Sequence, residues 1–185
     1  MNRIAALLPI LLLPLLSSAF YIELKGQVIE HFSSDPLKNV YVRVYADGAQ
    51  RFFKKTKGNG KFKFNIERET VYTIEFHMEH MVAKMVQIDT RDIPAMTDVP
   101  FFQIELEIDL FPYIDGLDYS VFREPLGKAK YDNSLKNISW DKLYARKQKA
   151  AFNKFWWHYE KAFYARTPKR EKMPKAPQNW PTPGS

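Results

Sequence analysis

The chain of 185 residues contains no cysteine, only four histidines and only seven glycines. Without cysteine it can form no disulfide, no thiolate site for zinc and no cysteine nucleophile. A lipid-anchored bacterial lipoprotein is excluded as well, since its lipid is attached to a cysteine at the cleavage point. The sequence also lacks a nucleophile elbow, a phosphate-binding loop and a zinc-protease helix motif. We therefore expect a protein that is not an enzyme and needs no cofactor.

Long apolar runs are absent except at the N-terminus, where one extends from Ile4 to Leu16. Arg3 precedes this run, and the small residues Ser17 and Ala19 follow it, which is the pattern of a cleavable secretory signal. A retained membrane anchor is the alternative, but a spanning helix needs about 20 apolar residues. We predict a signal peptide at residues 1–19 and an exported, periplasmic chain that is soluble or peripheral on a membrane face.

Acidic residues are scarce in the last quarter of the sequence. The net charge of the chain is +7, and residues 140–175 contain eleven Lys and Arg but only three acids. The rest of the mature chain has a charge of −2, so a near-neutral body carries a basic C-terminal segment. Nucleic acid is the usual partner of a basic, aromatic segment. The export signal and the absence of a nucleic-acid-binding motif argue against it here.

From residue 20 to residue 111, apolar and polar residues alternate in short segments. Val40, Val42 and Val44 share one face of such a segment, and the same alternation runs from Phe102 to Leu110. This period of two is typical of half-buried strands. Turn residues separate the segments and no helical pattern intervenes. We predict a mainly β protein with a β-sandwich of about seven strands at residues 20–111.

Four short motifs occur in order along this body: Gly26-Gln27-Val28, Pro36 to Val42, Thr56 to Phe62, and Tyr72 to Phe76. In this order they resemble the carboxypeptidase regulatory-like domain, a transthyretin-like Greek-key sandwich that is abundant in cell-envelope proteins of Bacteroidota. The resemblance implies a non-catalytic accessory role, because this domain is the non-catalytic appendage of carboxypeptidases. The chain departs from the family at His77 to Met81, where a glycine-aromatic pair is common.

The remaining sequence falls into three segments. Residues 112–138 are punctuated by proline and glycine and are expected to form an irregular connector. Residues 139–166 favour one long helix, with Ser139 as its cap. Residues 167–185 are rich in proline and basic residues, which is typical of a disordered or polyproline tail.

The predicted helix has an unusual aromatic content. One apolar stripe is formed by Phe152, Phe155, Trp156, Tyr159 and Phe163, and it is expected either to pack on the sandwich or to take part in docking. Further aromatic residues lie off this stripe beside lysines. We predict a partner-binding surface formed by Trp140, Tyr144, Lys147, Lys154, Trp156, Trp157, Lys161 and Tyr164. The expected partner is a cell-envelope protein, and the alternative is an anionic membrane surface.

A third hypothesis concerns His77, Met78, His80 and Met81. Thioether and imidazole groups suit copper, and only a loop would bring all four side chains together. The competing interpretation is an ordinary strand and turn with methionine as a core residue. Copper therefore remains a third possibility behind the two docking hypotheses.

Overall fold

A computed structural model describes residues 20–95 and 101–166 of the chain. The predicted signal peptide at residues 1–19 and the predicted tail at residues 167–185 lie outside the described residues.

The described chain is mainly β, with one long C-terminal helix, which confirms the predicted fold class. Seven of its nine strands fall within residues 20–111, as predicted. In chain order the elements are β1 Tyr21–Glu30, β2 Tyr41–Ala46, β3 Ala49–Lys55, β4 Lys61–Ile66, β5 Val71–His77, β6 Lys84–Asp89, β7 Phe101–Leu110, β8 Lys128–Asp132, β9 Asn137–Trp140 and α1 Lys142–Arg166.

The strands form two sheets that enclose one hydrophobic core. One sheet has the order β4-β1-β7, and the other has the order β3-β2-β5-β6-β8-β9. The pairs β1–β7 and β6–β8 are parallel, and the other pairs are antiparallel. Both sheets contribute to the core, including Leu24, Ile74 and Leu110, whose exposure is zero. Alternating apolar residues thus place one face of each sheet against the other.

The segment 112–138 is not an irregular connector throughout, so that prediction was wrong in part. It contains a 3-10 turn at Ser120–Phe122, all of β8 and the start of β9. Ala129 and Tyr131 are buried in the main core, while the Leu126 amide donates to the Met85 carbonyl oxygen at 2.7 Å. Such a short alternation between turn residues is a weak signal in the sequence, and it forms a strand because β6 offers a free edge.

Gly26 of β1 pairs with Leu106 of β7 and leaves no room for a side chain. A Cβ atom at this position would lie 1.9 Å from the carbonyl oxygen of Leu106 and 2.8 Å from the Phe62 ring. The first of these neighbours is backbone inside a paired strand, which cannot rotate away. The parallel pairing of β1 with β7 therefore requires glycine here.

We predict that Gly26→Ala lowers the free energy of unfolding by about 3 kcal/mol, because the added methyl group must push two paired strands apart. Gly58→Ala is the matched control, since a Cβ there meets no atom within 4 Å. Denaturant unfolding of both variants measures the difference. An equal loss of stability in the two variants would contradict the close approach at Gly26.

Candidate functional site

Helix α1 begins one turn later than the sequence suggested, and its cap is a different residue. The Asp141 carboxylate accepts a hydrogen bond from the Tyr144 amide at 2.9 Å, and the Asp141 carbonyl oxygen accepts one from Ala145. Ser139, the predicted cap, belongs to β9 instead. Both side chains are suitable caps, but the pairing of β9 with β8 continues through Trp140. The prediction of Ser139 as the cap was therefore wrong.

The inward face of α1 is the aromatic stripe that the sequence indicated. Phe152, Phe155 and Tyr159 are at most 6% exposed and form a second hydrophobic cluster with Phe111 and Phe122. The Phe155 and Phe122 rings meet edge to face at 4.8 Å. The Tyr159 hydroxyl donates to the Pro112 carbonyl oxygen at 2.9 Å. This stripe therefore packs on the body of the protein.

A buried charge cluster lies next to this aromatic cluster. The Lys84 side chain has no exposed surface, and its ammonium donates to Asp109 Oδ1 at 3.0 Å. The same ammonium lies 4.9 Å from the centre of the Phe111 ring and 5.9 Å from that of Phe122, within the range of cation–π attraction. Asp109 Oδ2 forms a very short contact with His31 Nδ1. One carboxylate thus links a lysine of β6 to a histidine that follows β1.

Burial acts on both charged groups of this cluster, and their mutual attraction opposes its effect. Burial lowers the pKa of Lys84, and the Asp109 carboxylate offsets part of that effect. Burial alone would raise the pKa of Asp109. The Lys84 ammonium and the His31 hydrogen bond outweigh it, so the pKa of Asp109 lies well below its ordinary range.

Trp156 covers the charge cluster from the helix side. Its ring stacks on the His31 imidazole with centres 4.5 Å apart and planes 13° apart, and it also contacts Phe111 at 4.7 Å. A carboxylate that orients an imidazole is the arrangement of a general base. Here, however, the His31 side chain is only 9% exposed. The observed packing makes His31, Asp109 and Lys84 an anchor for α1.

This charge cluster was not predicted from the sequence. Lys84 occupies an inward position of an alternating segment, between Val82 and Val86, and both valines are buried. A lysine in such a position signals a buried charge that needs a partner. Asp109 and His31, which supply the compensation, are distant in sequence and carry no such signal.

The predicted partner-binding residues separate into two groups. Trp140, Tyr144 and Trp156 are engaged within the fold: Trp140 packs against the main core, the Tyr144 hydroxyl donates to the Pro125 carbonyl oxygen at 2.6 Å, and Trp156 covers His31. The others face solvent on α1. They are Lys147, Lys154, Trp157, Lys161 and Tyr164. Trp157 is 62% exposed and Tyr164 is 50% exposed.

The outward face of α1 has a regular order. An apolar residue recurs every seven positions, and a lysine lies four positions after each of the first three apolar residues. The resulting series, in which every residue is exposed, is Leu143, Lys147, Ala150, Lys154, Trp157, Lys161 and Tyr164. Steps of three and four keep these seven residues on one line along a helix. We call this line the lysine–apolar stripe; it is about 32 Å long. The Lys161 ammonium lies 5.5 Å from the centre of the Trp157 ring.

The four candidate copper ligands have separate surroundings. His77 ends β5 and stacks against Tyr41. His80 has a positive φ of 63° and an exposed side chain near Glu79. Met78 and Met81 pack against the main core. Within residues 20–95 and 101–166 there is no group of three or more His, Asp or Glu that could hold a metal ion.

No helix within the described ranges is long and apolar enough to cross a membrane. Comparison with known proteins finds no matching family model and no matching curated protein.

Several solved structures are similar to part of the chain. Catechol 1,2-dioxygenase from Acinetobacter sp. ADP1 matches with a TM-score of 0.40 and 14% identity, over 57% of this chain and 57% of that one. 3-Chlorocatechol 1,2-dioxygenase from Rhodococcus opacus 1CP matches with a TM-score of 0.37 and 13% identity, over 50% of this chain and 60% of that one. 5-Hydroxyisourate hydrolase from Klebsiella pneumoniae matches with a TM-score of 0.35 and 12% identity, over 50% of this chain and 92% of that one. The chain thus spans about three fifths of the length of these two dioxygenases.

These neighbours correct one expectation. We expected the chain to be no enzyme, but the structures similar to it include dioxygenases and a hydrolase. The expectation that the chain is not an enzyme, which rested on absent catalytic motifs and on the family resemblance, was therefore wrong. A shared fold does not transfer a substrate or a reaction, so no activity is taken from these enzymes.

We predict that Asp109→Asn lowers the free energy of unfolding by about 3 kcal/mol, because it removes the carboxylate that pairs with the buried Lys84 ammonium. Lys84→Met removes the buried charge itself, and Asp109 keeps its contact with His31. Lys84→Met should therefore cost less than Asp109→Asn in urea unfolding. The reverse order would contradict the proposed role of Asp109 as the counter-ion.

Acid should also destabilise the protein through Asp109. Because its pKa is depressed in the folded state, the carboxylate contributes stability above its unfolded pKa of about 3.9, and this is lost as the pH falls further. We predict that the fall in unfolding free energy below about pH 4 is shallower in Asp109→Asn. Glu107→Gln, an exposed change on the same strand, should keep the wild-type slope. Equal slopes in all three proteins would contradict the prediction.

Proposed function

We propose that this chain is an exported cell-envelope protein that attaches to an anionic membrane surface through the lysine–apolar stripe of α1. The stripe itself carries the proposal. The exposed side of α1 bears only cationic charge, and its one acidic residue, Glu160, is partly buried. The exposed cations are Lys142, Arg146, Lys147, Lys149, Lys154, Lys161 and Arg166.

A lipid surface suits this stripe better than a protein partner does. The cores of protein interfaces are depleted in lysine, whereas here a lysine separates each pair of apolar residues. A second copy of the same helix would bring two rows of three lysines together. At a lipid surface, lysine stems extend along apolar material while the ammonium groups reach the headgroups. Trp157 and Tyr164 are residue types that favour this boundary.

Export and family are parts of the same proposal. Residues 1–19 carry the pattern of a secretory signal. The motifs that resemble the carboxypeptidase regulatory-like domain fall at matching points of the fold: Gly26 lies within β1, the turn around Gly58 joins β3 to β4, and Tyr72 lies within β5. These positions support the family assignment within a transthyretin-like sandwich. An acidic envelope protein remains the alternative occupant of the stripe.

The test measures binding of the full mature chain to vesicles of phosphatidylglycerol and phosphatidylcholine by co-sedimentation. We expect binding that weakens with salt and is absent with pure phosphatidylcholine. Replacing both lysines in Lys154→Gln/Lys161→Gln should weaken it about 30-fold, at about 1 kcal/mol for each lysine. Trp157→Ala should weaken it as well, because an apolar contact with the lipid is lost.

The matched control is Lys130→Gln/Lys136→Gln, which removes the same charge from exposed positions off the helix. It should bind within about twofold of the wild type, because neither lysine belongs to the stripe and salt screens charges that do not contact the lipid. Equal weakening by both double variants would contradict a site on α1. If the vesicles do not bind, but an acidic envelope protein is retained in a Trp157-dependent way, the protein-docking alternative replaces the membrane.

A further inference from the structure

A second cationic surface lies on the β-sandwich itself. A cleft of about 740 Å³ lies between β3 and the three-stranded sheet, and all three strands of that sheet, β4, β1 and β7, contribute residues to its lining. Six lysines line it: Lys25, Lys54, Lys55, Lys57, Lys61 and Lys63. Only two acids, Glu105 and Glu107, belong to the same lining. The cleft therefore has a net charge of +4, although the body of the chain is near neutral.

Strand pairing concentrates the positive charge in this cleft. Lys25 of β1 lies directly opposite Lys63 of β4 in the antiparallel register. Lys54 reaches across from β3, and its ammonium donates to the Lys63 carbonyl oxygen at 3.0 Å. Like charges in facing cross-strand positions destabilise a sheet. A bound anion would relieve this repulsion.

Much of this charge is available to a ligand. Glu23 contacts the Lys63 ammonium. Within residues 20–95 and 101–166, by contrast, no carboxylate lies at ion-pair distance from Lys25, Lys57 or Lys61. Three ammonium groups in one cleft are thus left to solvent, which favours an anion with several charges over a single carboxylate.

The other lining residues narrow the chemistry of the ligand. No arginine is present, so the planar two-point recognition of phosphate or carboxylate that arginine provides is missing. The one aromatic residue, Phe62, is 3% exposed and offers no surface for stacking nucleic-acid bases. Glu105 and Glu107 repel any polyanion, but their oxygens can accept hydrogen bonds from the hydroxyl groups of a sugar chain, which a chain of phosphates lacks. The Gln27 and Asn59 amides add further polar groups.

We propose that this cleft binds an acidic polysaccharide, meaning a chain of hydroxylated sugars that bear carboxylate or sulfate groups. The lysines of β1, β3 and β4 meet the anionic groups, and the glutamates of β7 accept sugar hydroxyls. The site is separate from the lysine–apolar stripe, because it contains no residue of α1. It stands whether or not the chain attaches to a membrane.

The test titrates the full mature chain with oligogalacturonate in a calorimeter at low and high salt. We expect binding at low salt that weakens as salt rises. Lys25→Gln/Lys61→Gln should weaken it about tenfold, because two exposed ion pairs with the ligand are lost. Lys130→Gln/Lys136→Gln is the matched control with the same loss of charge, and it should bind within about twofold of wild type. Thermal unfolding should find the cleft variant at least as stable as wild type, because a like-charge pair is removed.

The comparison ligands are linear polyphosphate and neutral dextran. Oligogalacturonate that binds no tighter than polyphosphate would overturn the assignment to a sugar chain, and dextran that binds equally well would overturn the role of charge. Absence of oligogalacturonate binding would overturn the site. If binding survives Lys25→Gln/Lys61→Gln but is lost in Lys154→Gln/Lys161→Gln, the polyanion binds α1 and the assignment to the cleft is wrong. Vesicle binding tests the other surface independently, so failure of one proposal is distinguishable from failure of the other.

Discussion

A lysine ammonium with no access to water is stable only if its charge is compensated from within, and the α1 side of the protein is built around that requirement. Asp109 supplies the counter-charge, and the Phe111 and Phe122 rings supply cation–π contacts. Helix α1 covers the two phenylalanine rings, and its Trp156 lies over the His31 that contacts Asp109. Charge compensation and helix packing therefore depend on each other. Loss of either exposes an unpaired charge or a large aromatic surface.

This dependence has a consequence for the outer face of α1. The inward aromatic contacts fix the rotation of the helix, and the Asp141 cap with the Tyr144 hydrogen bond fixes its start beside β9. The lysine–apolar stripe is consequently presented as a rigid row. A free amphipathic peptide must order itself when it binds, which costs conformational entropy. Here the helix is already ordered by folding, so binding requires no further loss of conformational entropy from its backbone. Its lysines lie in one fixed line along about 32 Å of helix.

The sequence was most informative where one face of an element is buried. The alternation in β2 and β7 predicts their inward residues correctly, and the helix stripe predicts Phe152, Phe155 and Tyr159. It was uninformative for β3, whose seven residues are all exposed and show no alternation. It was also weak for β8, which is five residues long. Alternation of apolar and polar residues arises from the burial of one face of a strand, so a strand without a buried face shows little alternation in the sequence.

Sites that depend on long-range pairing were beyond the sequence for a related reason. Counting charge along the chain assigned the positive charge to the C-terminal segment. The cleft lysines, however, are spread over β1, β3 and β4 and meet only through the register of strands far apart in sequence. The same holds for Asp109, which shares one face of β7 with Glu105 and Glu107 by strand alternation. Of these three carboxylates, one compensates a buried lysine and two line an open cleft.

The two cationic surfaces differ in what separates their charges. Along the lysine–apolar stripe, lysines alternate with apolar side chains. Contact with a ligand therefore removes apolar surface from water and also pairs the lysine charges. In the cleft, amides and carboxylates lie between the lysines, and their hydration must be replaced by hydrogen bonds from any ligand that enters. A lipid boundary meets the first condition and a hydroxyl-rich polyanion meets the second. Positive charge alone thus does not determine the partner, because the groups between the charges determine which ligand can replace water.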